Sequence, residues 1–175
     1  MNYSVHGPFR LPRRSTNNID RSASARNRFW EKVNARVPDL PSASGCYIFA
    51  MRAGKGFKPF YVGIAEKQPF KRECWSANKM IIYNDVLAYP INGSPILFLI
   101  AKRSPLNRLV RPGKRRHGSN DFLESMLIGA SLKKNRNLMN IQKTKYLKKM
   151  SVPGFLNTPQ RHPTQPESEF RKVIN

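Results

Sequence analysis

The chain has 175 residues, enough for one domain with a real core and too few for two comfortable ones. Its 32 Lys and Arg stand against 10 Asp and Glu, a net charge of +22 whose self-repulsion opposes compaction and points to a polyanionic partner. Nucleic acid is the first candidate, because phosphate neutralisation rewards clustered cations; an anionic membrane is the second, but the longest apolar run, Ile96 to Ala101, falls far short of the ~20 residues a spanning helix needs.

Residues 1–19 mix Pro8 and Pro12 with Arg10, Arg13 and Arg14 and show little periodicity, so an extended basic arm is expected. No apolar segment follows Met1, which makes the cytoplasm the expected location. A first helix is predicted over Asp20–Val37, stopped by Pro38. Two apolar runs, Cys46–Met51 and Phe60–Ala65, have strand-like length and flank a loop holding Gly54, Gly56 and Pro59, which makes them a hairpin. Each carries a tyrosine beside a glycine, Tyr47 and Tyr61, so two phenols can sit at a fixed spacing. Cys46 and Cys74 lie in apolar patterns without zinc-type spacing and read as reduced core residues.

Pro69 suits the first position of a second helix running to about Tyr83, with Phe70, Cys74 and Ile81 on one face and Arg72, Ser76 and Lys79 on another. That cationic stripe fits either a solvated face or a phosphate contact. Ile96–Ala101 reads as a central strand buried on both sides. The segment from Lys102 to Gly118 holds Arg103, Arg108, Arg111, Lys114, Arg115, Arg116 and His117 with no carboxylate, as either a phosphate-tracking loop or a disordered linker. A third helix is expected from Asp121 to about Lys134, capped by Ser119 or Asn120. The domain then spans 20–150, and 151–175 is a loosely held tail.

Between the third strand and the tail the acids are Asp121 and Glu124. Glu124 has apolar neighbours and falls at the edge of the buried helix face, where it could complete a capping box, pair with a cation, or act chemically. A basic protein working on phosphodiesters calls for a hard divalent cation, and a carboxylate is the ligand such an ion takes.

The ordered set Gly45-Cys46-Tyr47, Tyr61-Val62-Gly63, Arg72, Glu124 in FLESMLIGA and Asn140 in NLMN resembles the GIY-YIG nuclease domain over about residues 44–141. The resemblance implies an α+β fold with a small three-stranded antiparallel sheet flanked by helices, one Glu-bound Mg²⁺ or Mn²⁺, and one-step hydrolysis of a DNA phosphodiester. By carry-over Tyr47 would activate or position the attacking water, Tyr61 would support the phosphate or water network, and Arg72 would hold the phosphate. Glu124 would ligate the metal and Asn140 would brace the site. Cys46 departs from the usual aliphatic residue, Lys71 rivals Arg72, and Asn135 and Asn137 rival Asn140. Ser76 stands where some relatives carry a His, for which His117 is a candidate substitute. Lys79, Arg103, Arg108, Arg111, Lys114, Arg115, Arg116 and His117 are the expected nucleic-acid contacts. Target choice would come from the basic loop, the arms, a partner or dimerisation on DNA. The competing reading is a non-catalytic DNA- or RNA-binding module.

Overall fold

The computed structural model describes residues 1–89, 93–113 and 118–174. It is α+β, with one antiparallel sheet of four strands in the order β1-β4-β2-β3 flanked by helices. The strands are β1 (Asn2–Arg10), β2 (Gly45–Ala53), β3 (Gly56–Ala65) and β4 (Ser94–Arg103). The helices are α1 (Ala23–Arg36), α2 (Phe70–Glu73), α3 (Ala77–Ala88), α4 (Gly118–Lys134), α5 (Lys145–Lys149) and α6 (Gln165–Ile174). Two compact units form, one of residues Met1–Met139 that holds the sheet and one from Asn140 onward.

The hairpin β2–β3 forms where glycines and alternating apolar residues place it, with Tyr47 opposite Gly63 and Phe49 opposite Tyr61. The expected central strand is β4, paired on one side with β2 and on the other with β1. β1 is the correction to the sequence reading, since the sheet has four strands and residues 2–10 are a strand instead of an arm. Pro8 hid it: an edge strand tolerates a proline, and the register shift between His6 and Phe9 absorbs this one. The gain is apolar, because Phe9 and Leu11 become buried.

The two sheet faces have different covers. Tyr47, Phe49, Met51, Leu97, Leu99 and Ala101 join Phe29, Trp30 and Val33 of α1 and Met80, Tyr83 and Val86 of α3 in the main core. Phe49 stacks on Tyr83 at 4.2 Å between ring centroids. Cys46 alternates to the other face, where its thiol meets the Asn120 carbonyl of α4. Both cysteines are free and buried, as their patterns indicate.

Ser22 caps α1 by accepting from the Ala25 amide. The single second helix read from the sequence is two helices. Ser76 adopts extended backbone angles, so α2 ends after one turn and α3 starts anew. Arg72 and Ser76 therefore line one groove while Lys79 turns to Tyr61, and the three do not form one stripe. In the second unit the Arg161 and Glu167 side chains pair, and α6 carries no buried residue.

A polar node ties β1 to α4. The Tyr3 hydroxyl donates to Asn120 Oδ1 at 2.7 Å, and the Asn120 amide donates to the buried Glu66 carboxylate at 3.2 Å. Ser119 Oγ accepts from Lys102 and lies 3.1 Å from the Tyr3 hydroxyl. Tyr3→Phe removes a donor from a fully buried acceptor, so a stability loss of about 1–3 kcal/mol is expected in urea unfolding; an unchanged midpoint would show that the node does not tether the strand.

Candidate functional site

Tyr47 and Tyr61 are brought together by the hairpin register, their ring centroids 6.2 Å apart. Gly63 makes this possible. A Cβ built there would lie 2.3 Å from Tyr47 Cζ and 2.4 Å from its hydroxyl, so the Tyr47 ring occupies the space a side chain would need. Gly45, at φ +148°, likewise brings β2 against the Ile100 carbonyl in a backbone conformation that favours glycine. The two glycines of the motif thus have separate steric reasons.

The phenols face different surroundings. Tyr47 is fully buried, and its hydroxyl points to Glu73 Oε1 at a long 3.5 Å. Burial pushes the Tyr47 phenol well above its ordinary range, with Tyr83, Cys74, Tyr61 and Glu73 adding in the same direction. Tyr61 is half-buried, and its oxygen accepts from Lys79 Nζ at 2.6 Å. The same ammonium lies 4.7 Å from the Tyr61 ring centroid and 3.8 Å from Glu73 Oε1. Gln68 donates to Glu73 Oε2 at 2.6 Å and completes the cluster.

The carboxylate that meets the tyrosines is therefore Glu73, which sequence reasoning missed. Glu66 and Glu73 both precede the third strand, outside the interval in which Glu124 stands out. A usable signal existed: Glu73 abuts the apolar Cys74, six residues before a lysine, in a chain with few acids. Lys79, read as a phosphate contact, is the cation of this cluster.

Arg72 does not join it. Its side chain is exposed and lines a groove of about 850 Å³ with Arg26, Trp30, Asn34, Lys71 and Trp75. Gln68 also lines that groove, so the groove and the tyrosine cluster adjoin. Ser76 is on its wall as well. Glu124 stands on the inner stripe of α4, one turn from buried Asn120 and one from buried Ile128. The helix runs along β3, from the Asn120–Glu66 contact to Asn135, whose amide donates to the Pro59 carbonyl. α4 covers the sheet face to which Cys46 points, whereas Tyr47 packs on the face covered by α1 and α3. Asn135 is committed to the chain itself, accepting from the Asn137 amide besides. Asn140 opens the second unit, where its carbonyl accepts from Thr144 Oγ1 at 2.8 Å.

The expected nucleic-acid contacts separate in the same way. Residues 102–113 are folded, with Val110 and Lys102 bonded to each other and both bonded to Ser44. Arg103 is tied to Ser4 and to the Asn107 carbonyl, whereas Arg108 is exposed and Arg111 is exposed beside Asp39 at 3.5 Å. Lys114, Arg115, Arg116 and His117 lie outside the described residues. Among the described residues no three His, Cys, Asp or Glu side chains converge as a metal cluster. No protein-family model, curated protein or solved structure matches the chain.

Two measurements check this geometry. Gly63→Ala forces the Tyr47 ring aside, and about 1–3 kcal/mol of destabilisation with altered near-ultraviolet dichroism is expected; a variant of wild-type stability and spectrum would contradict the placement of the ring. Stability should also fall in alkali. Burial raises the Cys74 thiol well above its ordinary 9.0 and the Tyr47 and Tyr83 phenols well above 10.0. Between those ordinary values and the folded ones the native state binds more protons than the unfolded chain, so stability is complete below pH 9 and declines as pH rises through 10. Urea midpoints measured across this range test the sign.

Proposed function

We propose that the chain is a GIY-YIG-type endonuclease that hydrolyses phosphodiester bonds of DNA. The observation that carries this reading is the tyrosine pair built over Gly63, with the partly exposed Tyr61 hydroxyl bonded to Lys79. Net charge of +22 supports a nucleic-acid substrate. Among the described residues no helix is long and apolar enough to cross a membrane.

Hydrolysis adds water across a P–O bond. The water oxygen bonds to phosphorus, the bond to the leaving oxygen breaks, and one water proton ends on that oxygen. In this reading Tyr61 orients the phosphate or the water through its hydroxyl, while the buried Tyr47 stays protonated and holds Glu73 in place. Arg72, Lys71 and Arg26 line the groove and bind the flanking backbone, with Arg108 and Arg111 as outlying contacts. Glu73 is a poor metal ligand, because Gln68, Tyr47 and Lys79 already surround it with donors. Glu124, half-buried on α4, is the hard-oxygen donor to which the resemblance assigns Mg²⁺ or Mn²⁺. Such an ion supplies neutralisation of the charge that develops on the phosphate oxygens.

The test is incubation of the purified chain with supercoiled plasmid and Mg²⁺ or Mn²⁺, with a structured RNA in parallel. Nicked or linear DNA is expected, lost on chelation and in Glu124→Ala, and reduced at least about tenfold in Tyr61→Phe. Binding without cleavage under either metal would leave a nucleic-acid-binding module instead, and full activity in Glu124→Ala would remove the metal assignment.

A further inference from the structure

We infer that Lys79 and Tyr61 together form the group that grips the reacting phosphate, and that Glu73 is the residue that positions them. This rests on the phosphodiesterase reading above and reassigns the phosphate-holding role from Arg72.

An ammonium has three donors and no acceptor. Lys79 uses one on the Tyr61 oxygen at 2.6 Å. Glu73 Oε1 lies at 3.8 Å, close enough to attract the charge and too far to take a hydrogen bond of good geometry. At least one N–H therefore remains for another acceptor. Because the Tyr61 oxygen accepts from Lys79, its own proton points elsewhere, and among the described residues it has no acceptor. Two uncommitted donors thus sit on adjacent atoms, an arrangement that suits two oxygens of one tetrahedral phosphate. Both side chains are only partly exposed, so a phosphate engaged there is drawn out of bulk water and each donor acts in a lower dielectric.

Glu73 explains why the lysine waits in this position. Lysine has a long flexible stem, and an unrestrained ammonium on a +22 surface would extend into solvent. Here the carboxylate is itself held, by Gln68 at 2.6 Å on one oxygen, with the Tyr47 hydroxyl at a looser 3.5 Å from the other. The order of support runs from the buried Tyr47 and Gln68 to Glu73, from Glu73 to Lys79, and from Lys79 to Tyr61. Arg72 points to the groove, where it can bind a neighbouring phosphate but cannot share this hydrogen-bond set.

Cleavage is measured under single-turnover conditions with the full chain and a labelled DNA duplex, and affinity is measured separately in calcium. Lys79→Met is expected to lower the cleavage rate about 100-fold, the scale of losing one transition-state donor, with affinity changed less than about threefold. Lys79→Arg keeps the charge and should restore part of the rate. Glu73→Gln should lower kcat and leave KM nearly unchanged, whereas Arg72→Ala should weaken affinity more than rate. Thermal melts of each variant separate misfolding from lost chemistry, and Lys79→Arg and Glu73→Gln keep the side-chain volume if Lys79→Met proves unstable. Wild-type rates in Lys79→Met, or equal losses of rate and affinity in Arg72→Ala and Lys79→Met, would overturn the assignment.

A second arm separates this inference from the nuclease reading. If the wild-type chain cleaves nothing, inorganic phosphate is titrated into protein carrying ¹³C-labelled tyrosine. A Tyr61 resonance that moves in wild type and stays still in Lys79→Met would support an anion site without nuclease chemistry. A Tyr61 resonance that does not respond in wild type would overturn the inference.

Discussion

The contact on which the site depends is the Tyr47 ring lying across β3 where Gly63 has no side chain. From it the rest follows in steps. Lying there, the buried ring directs its hydroxyl toward Glu73 of α2, 3.5 Å away. Glu73 in turn lies within attraction of Lys79, and Lys79 reaches Tyr61 on the neighbouring strand. A Cβ at position 63 would move the first element of that series and every later one with it. The glycine is therefore a statement about a side chain on another strand, not about backbone freedom at its own position.

Charge gives the cluster its second constraint. In a chain with 32 cationic side chains, a carboxylate can pair almost anywhere on the surface at little net gain. Glu73 is instead four-fifths buried, with the Gln68 amide bonded to it and the Tyr47 hydroxyl and the Lys79 ammonium close by. A buried carboxylate without such partners would be costly, so the packing of Gln68 and Tyr47 about it is a requirement and not an ornament. The same logic holds just past the end of β3. Glu66 is buried beneath α4 and accepts from Asn120, and Asn120 is held in turn by Tyr3 of β1. Two buried acids thus fasten two different helices to one hairpin.

Much of this was legible in residues. Apolar runs and glycines mark β2, β3 and β4, the apolar positions before Pro38 mark α1, and the hairpin pattern puts the two tyrosines on facing strands. What escaped had physical causes. β1 reads as an arm because its periodicity is broken by Pro8 and its cations, and only the open edge of β4 makes it a strand. The α2–α3 break cannot be seen from composition, since Ser76 is tolerated inside a helix and here takes extended angles. That break carried Lys79 from an assumed outer stripe to the tyrosines. Glu124 stands out because it sits in an apolar helix, while Glu73 directly follows Lys71 and Arg72, a setting in which an acid commonly pairs on the surface.

The break after α2 also explains why a lysine, and not the nearby arginine, meets the phenols. α2 is a single turn, so adjacent positions on it point in different directions, and Glu73 takes the inward one. Arg72 is then directed to the groove beside α1. The restart at Ser76 gives α3 its own axis and places Lys79 in its first turn, near the start of the helix and above Tyr61. A cation near a helix N-terminus is opposed by the helix dipole. The Glu73 carboxylate offsets that opposition locally, and the face of the Tyr61 ring adds attraction. The three groups are thus arranged so that each answers a cost that another creates, and the break in the helix is what lets them meet.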